Sequence, residues 1–261
     1  MGINKKGLLS LVVAGSLVSS EVLATDKEAI PQVWEGFYTG VALGVANNKA
    51  SSTSALDYSG GYFFDSGSSS DSGQINPLLQ KDLDGTDFTG SLILGFDFRE
   101  NNLIYGIEAD FTLSQFSETN SVKSVVYDTA PTHTFDMNQT IETDYQISLR
   151  PKIGYVTDQF QVYLSVGPSI AKFKTNNSYE DSLRAGYTEY SDNETVIGIS
   201  TSIGAAYMLS DNWAVRGDYV YSNFSDITKG DLDVDSDGDS DIKYSSDFES
   251  HNFRLAIVKY F

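Results

Sequence analysis

Aspartates occupy every second position from Asp231 to Asp241, and Gly238 sits inside the run. Alternate carboxylates followed by Asp-Gly are the spacing of a calcium loop, which needs hard oxygen donors and a glycine for its sharp turn. Counted from Asp233, such a loop places Asp233, Asp235, Asp237, Asp239 and Asp241 at alternate positions. Its twelfth residue is Tyr244, where the bidentate Glu belongs. The run therefore reads as a solvated acidic loop that collects Ca or Mg weakly, and no true cofactor is expected. The two histidines, His133 and His251, are the other candidates for chemistry. Ser250 precedes His251, but neighbours on a strand point to opposite faces and form no dyad.

A third group of charges is spaced by twos: Glu108 and Asp110, then Arg150 and Lys152, then Arg216 and Asp218, with Arg254 further on. A spacing of two puts each pair on one face of a strand. Such charges neutralise one another only if the strands bring those faces together.

Eight segments alternate with the required period: 37–46, 86–98, 103–113, 141–156, 160–170, 196–209, 213–224 and 251–261. The third is the clearest. Leu103, Tyr105, Ile107, Ala109, Phe111 and Leu113 share one face; Gly106, Glu108, Asp110 and Thr112 share the other. In the second segment Ile93 breaks the pattern. The last segment sets Phe253, Leu255, Ile257 and Phe261 on its apolar face. The connections alternate in length. Arg99 to Asn102, Thr157 to Gln159 and Ser210 to Asn212 are short; the stretches at about 47–85, 117–140, 174–193 and 225–247 are long. In an up-and-down meander all the long loops then lie at one end.

Short turns at one end and long loops at the other are the layout of an outer-membrane barrel. The expected fold is all-β, an eight-stranded antiparallel up-and-down transmembrane β-barrel. Aromatic residues near the short turns and termini (Phe37, Phe96, Phe98, Tyr105, Tyr155, Phe160, Tyr207, Trp213, Tyr260, Phe261) suggest one interfacial girdle. Phe88, Tyr145, Phe173, Phe253 and Tyr219 or Tyr221 suggest the other. In so narrow a bore, Glu108, Asp110, Arg150, Lys152, Arg216, Asp218 and Arg254 are expected to form a closed charge network that plugs it. Gly40, Ala42 and Gly44 would leave room opposite the longer side chains. The Ser/Gly-rich first loop, with Ser51 to Ser54 and Ser66 to Ser72, reads as mobile surface.

Composition agrees. Lys5 and Lys6, an apolar stretch to Val18 and the small-residue site at Val22-Leu23-Ala24 predict a signal peptide over 1–24 and a barrel domain over 25–261. Removing it takes away two Lys and one Glu and moves the formal charge from −19 to −20. A chain so acidic excludes nucleic-acid binding as its role. Without cysteine there is no thiol chemistry or disulfide framework. No stretch of the mature chain is apolar enough for a membrane helix, but barrel strands do not require one.

The segment Trp34-Glu-Gly-Phe37-Tyr38-Thr-Gly40-Val-Ala-Leu-Gly44 resembles the opening strand of the proteobacterial outer-membrane β-barrel family of porin-like surface antigens, in which a W-x-G-F-Y-x-G-x-x-x-G pattern follows the signal and the chain ends in an aromatic. Lys259 departs from that pattern, standing where many members carry an aromatic; its long stem can snorkel to the interface. The resemblance implies an integral outer-membrane protein and says little about activity. The expected role is structural or surface-interacting, through acidic extracellular loops, with no enzymatic site. A narrow porin for small solutes or ions and a rim hydrolase acting on lipid A, with His251 at the outer rim, are the alternatives. The expected partners are outer-membrane lipid and lipopolysaccharide, the barrel-assembly machinery, which would read Phe253, Leu255, Ile257 and Phe261, and an external ligand at the loops. Divalent ions would bridge the acidic loop to lipopolysaccharide. The chain is expected to be a monomer with both termini periplasmic.

Overall fold

The computed structural model describes residues 34–58, 61–66, 69–184, 186–210 and 212–261, so the expected signal segment 1–24 lies outside the described residues. The elements are β1 (Gly36–Leu56), β2 (Asp65–Ser66), β3 (Ser69–Ser70), α1 (Asp71–Leu79), β4 (Leu83–Glu100), β5 (Leu103–Val126), β6 (Thr134–Val156), β7 (Phe160–Asp181), β8 (Tyr187–Ser210), β9 (Trp213–Leu232) and β10 (Ile242–Tyr260). β1 and β4 to β10 close into a ring in which sequence neighbours pair, and β1 pairs with both β4 and β10. Closure is antiparallel in plain register, with Tyr38 opposite Tyr260 and Leu43 opposite Leu255. The three short turns fall where the sequence places them, and Asn101 and Asn212 take left-handed backbone there (φ 57° and 68°). Asn tolerates that region better than most side chains.

The strands are far longer than the alternating apolar segments. They run from 18 to 24 residues, about twice the ~9–11 needed to cross a bilayer. The stretches expected as loops at 47–56, 117–126, 134–140, 174–181, 187–193, 225–232 and 242–247 continue the sheet. The connections at that end shrink to 57–82, 127–133, 182–186 and 233–241.

The cause is an inversion of polarity between the two faces, at constant parity on β1 and β10 and with a one-residue shift at the β6 bulge. On β10, Phe253, Leu255 and Ile257 point outward and Asn252 and Arg254 inward. Further up the same strand, Asp247 points outward, Ser245, Glu249 and His251 are half-buried on that side, and Ile242, Tyr244 and Phe248 point inward. β1 does the same: Val41, Leu43 and Val45 give way to Asn47, Lys49, Ser51 and Thr53 on the outer face. Loss of outward apolar residues therefore looks like a strand end but is a change of surroundings. Register irregularities cluster at this level, between Leu113 and Phe116, Thr143 and Gln146, and Ser246 and Phe248. Bulges bend a strand without ending it.

The parity rule also corrects individual residues. Phe173 and Tyr260, expected in the girdles, are buried inside the barrel. Ile93, the exception on the second segment, is completely buried there too. Asp144, which by sequence continues the alternation of Ser148, Arg150 and Lys152 toward the bore, is turned outward at the β6 bulge and pairs with Lys174 at 3.0 Å.

The expected mobile first loop instead carries α1. Ser70 caps it, accepting from Gly73 N at 3.3 Å, and Ile75 is fully buried. The signal was present: Ile75, Leu78 and Leu79 follow a Ser-Asp start at helical spacing. Asn120 donates to Leu78 O at 2.7 Å, and Gln74 donates to Val126 O at 2.7 Å, tying α1 to the strand ends.

Phe116, Phe173, Phe224 and Phe248 meet in the inverted half, with ring centroids 5.1 to 6.4 Å apart. Phe173→Ala should cost about 3–5 kcal/mol of unfolding free energy. Urea titration of heat-modifiable gel mobility in micelles measures this, and Ile170→Ala on the outer face of the same strand should cost much less.

Candidate functional site in the barrel interior

Inward positions in the lower half, between the short turns and the level of inversion, are polar and buried. Arg150 Nη2 reaches Glu108 at 3.0 Å and Asp110 at 3.2 Å. Arg216 contacts Glu108 at 2.5 Å and Asp218 at 2.8 Å. Arg254 bonds Asp218 at 3.2 Å and also pairs with Asp110. Lys152 contacts Asp97 at 2.7 Å and donates to Tyr38 Oη at 2.9 Å, and Tyr38 in turn donates to Glu108 at 2.8 Å. The structure thus brings together all seven charges read from the sequence and adds Asp97. Four carboxylates face four cations.

Tyr38, Tyr163 and Tyr260 also enter the network; they carry no formal charge, so the charge pattern of the sequence gives no sign of them. Asp97 shares its strand face with Gly95, beneath the ring of Tyr38, and a Cβ at Gly95 would overlap that ring. Tyr163 bonds Asp218 and lies under Arg216, whose guanidinium is 4.8 Å from the ring centroid. The expected space opposite small residues is there as well. A Cβ at Gly44 would meet Arg254 Cβ at 2.8 Å.

The bore is filled at successive levels. At the short-turn end, Trp34, Tyr38 and Tyr260 pack with Ile104, Val156 and Val258. Trp34 donates to Thr157 O at 3.0 Å, and its ring meets Tyr260 edge-on at 5.6 Å. Above the ion network lies a layer of hydroxyls and amides. Ser91 and Thr112 are 2.8 Å apart, and Gln146 donates to Ser222 at 2.8 Å and Ser200 at 3.0 Å. The enclosed space here is about 30 Å³, room for a water. The phenylalanine group follows. Near the top Tyr62, Phe63, Ile75, Tyr127, Phe135, Tyr179 and Tyr244 form a third apolar layer. Burial, reinforced by hydrogen bonding to the Asp181 carboxylate, raises the Tyr62 hydroxyl far above its ordinary range.

The acidic run splits. Carboxylate oxygens of Asp233, Asp235 and Asp237 lie within 4.8 Å of one another. Asp241 is buried and accepts from Val234 N at 2.7 Å, while Asp239 is exposed and outside the group. Gly238 N donates to Asp233 at 2.9 Å and Asp239 N to Asp237 at 2.9 Å, so backbone donors already organise the turn. Tyr244, at the twelfth position, faces the interior. His133 Nδ1 lies 2.9 Å from Ser182 O. His251 lies on the outer wall, 2.7 Å from Tyr219 Oη, whereas Ser250 faces the bore. Phe253, Leu255, Ile257 and Phe261 form an outward stripe on β10, and Phe261 N donates to Phe37 O at 2.9 Å.

Outward apolar exposure decides the surroundings. Phe88 is 88% exposed and Leu43 77%, within a continuous belt around all eight strands. Water would not tolerate such a belt. A family model described as "Outer membrane protein beta-barrel domain" matches residues 10–255. The chain belongs to this family, and its place is the bacterial outer membrane. Among curated relatives, the 31 kDa outer-membrane immunogenic protein of Brucella melitensis is 24% identical, covering 86% of this chain and 88% of its own. The 25 kDa outer-membrane immunogenic protein of Brucella abortus is 22% identical over 76% of this chain and 69% of its own. Among solved structures, the outer membrane protease OmpT from Escherichia coli superposes with a TM-score of 0.50 at 12% identity, covering 90% of this chain and 99% of that one. That likeness concerns the fold.

Glu108→Leu would leave Arg150 with Asp110 and Arg216 with Asp218 as their remaining carboxylates, and the bore of this outer-membrane barrel with one cation in excess. The expected loss is about 3–5 kcal/mol. Glu108→Leu with Arg216→Met should recover part of it, and a double-mutant cycle by urea unfolding reads the coupling.

Proposed function

We propose that the protein is a closed, non-conducting surface barrel that serves the envelope structurally and presents its connecting ends to the outside, with no enzymatic role. One observation carries this reading: the bore is occupied by three apolar layers and an ion network with every charge paired. The immunogenic outer-membrane relatives support surface exposure. The inverted upper half supports it too, because its polar outer wall suits the sugar region of lipopolysaccharide better than hydrocarbon. In this reading the ends at 57–82, 127–133, 182–186 and 233–241 are extracellular, and the short turns and both termini are periplasmic. The assembly machinery reads the outward stripe ending at Phe261, and the barrel works as a monomer.

In planar bilayers the purified protein should give no steady open conductance; a stable open channel would replace this reading with a narrow porin. The chain has no cysteine, so single introduced thiols report orientation directly. A membrane-impermeant maleimide should label Ser236→Cys on intact cells and Asn101→Cys only after the envelope is opened.

A further inference from the structure

Lys259 lies on the outer face of β10, between Ile257 and Phe261, in register with Thr39 of β1 and Trp213 of β9. Its ammonium sits 5.4 Å from the Trp213 ring centroid and 5.1 Å from that of Phe261. Those rings belong to the girdle at the short-turn end, where Phe37 and Phe261 lie 5.9 Å apart. Among the described residues, most cations near the barrel wall and bore are met by carboxylates. The four in the bore are paired, Arg99 at the same end is held by Asp158 at 3.5 Å, and Lys49, Lys174 and Lys243 each have an aspartate. Lys81, Lys123, Lys172, Arg184, Lys229 and Lys259 make no ion pair with a described residue, and of these Lys259 is the one set over the aromatic girdle at the short-turn end. The hydroxyl of Thr39 is already donated to Ile93 O at 3.2 Å.

An ammonium has three donors, and an aromatic face accepts charge without providing an oxygen. Two rings hold this one at the depth where hydrocarbon ends, with its donors left for an anion. The oxygens at that depth belong to lipid headgroups. We propose that Lys259, Trp213 and Phe261 form a binding site for the phosphodiester of an anionic phospholipid in the leaflet bordering the short turns. The rings fix the ammonium, and the ammonium holds the phosphate. The site gives this acidic chain a cationic foothold on one side of its circumference. It rests on the outer-membrane assignment and not on which leaflet the turns face.

The test uses folded protein in dodecyl maltoside micelles doped with chain-brominated phosphatidylglycerol or phosphatidylcholine. Trp34 is buried in the bore and Trp213 is 44% exposed, so bromine quenching reports on Trp213. One lysine contact predicts about fivefold preference for phosphatidylglycerol. Lys259→Gln should abolish the preference, while Lys259→Arg and the distant control Lys243→Gln should keep it. The proposal fails if Lys259→Gln keeps the preference, if excess inorganic phosphate erases it in the wild type, or if quenching follows protein concentration instead of headgroup, as contact with a second copy would.

Discussion

A strand in a closed sheet has two faces and a side-chain period of two, so each strand must satisfy an inside and an outside at every residue. Here the outside changes partway up. Below the bulges near Leu113, Thr143 and Ser246 the surrounding medium is hydrocarbon, and the polar residues have to be inside. Above them the outer wall is polar, and the apolar residues move to the interior. Pairing continues through the change, with the register shifted at these bulges. The ion network, the phenylalanine layer and the belt of exposed Leu, Ile and Phe all follow from this single requirement.

The interior charges show how tightly the lower half is constrained. A buried ion that lacks a partner costs several kcal/mol, and a paired one roughly breaks even. Four carboxylates and four cations fit because Gly44 and Gly95 yield space to Arg254 and Tyr38. The tyrosines extend the network downward: Tyr260 donates to Asp97 at 3.2 Å, so aromatic packing at the short-turn end and ion pairing share one hydrogen-bonded chain. Stability, more than recognition, explains why these residues are where they are.

Strand number, order, the three short turns and the seven charges were legible because in the lower half the apolar period marks the outer face directly. The upper strands were not legible, since Asn47-Asn48-Lys49-Ala50-Ser51-Ser52 has no apolar face pointing either way strongly enough to be read. Only the closed ring shows that Asn48 and Ala50 are inside. Phe173 and Tyr260 were misplaced by residue type where counting parity would have turned them inward. α1 escaped notice behind a serine-rich approach, although its Ile75-Leu78-Leu79 spacing is helical. The aspartate run looked like five ligands; three converge, because Asp241 is spent on Val234 N.

The upper wall also bears on how the barrel reaches its final place. In the proposed orientation, with the short turns periplasmic, each outward Asn, Lys, Ser and Asp above the bulges has to pass the hydrocarbon before it can stand beyond it. Charged side chains on the lipid face of a barrel cost about 2–4 kcal/mol each for Lys or Arg at mid-depth. A strand such as β1, whose upper outer face carries Asn47, Lys49, Ser51 and Thr53, gains nothing from lipid during that passage. Unassisted passage of the finished cylinder, upper end first, is therefore unfavourable.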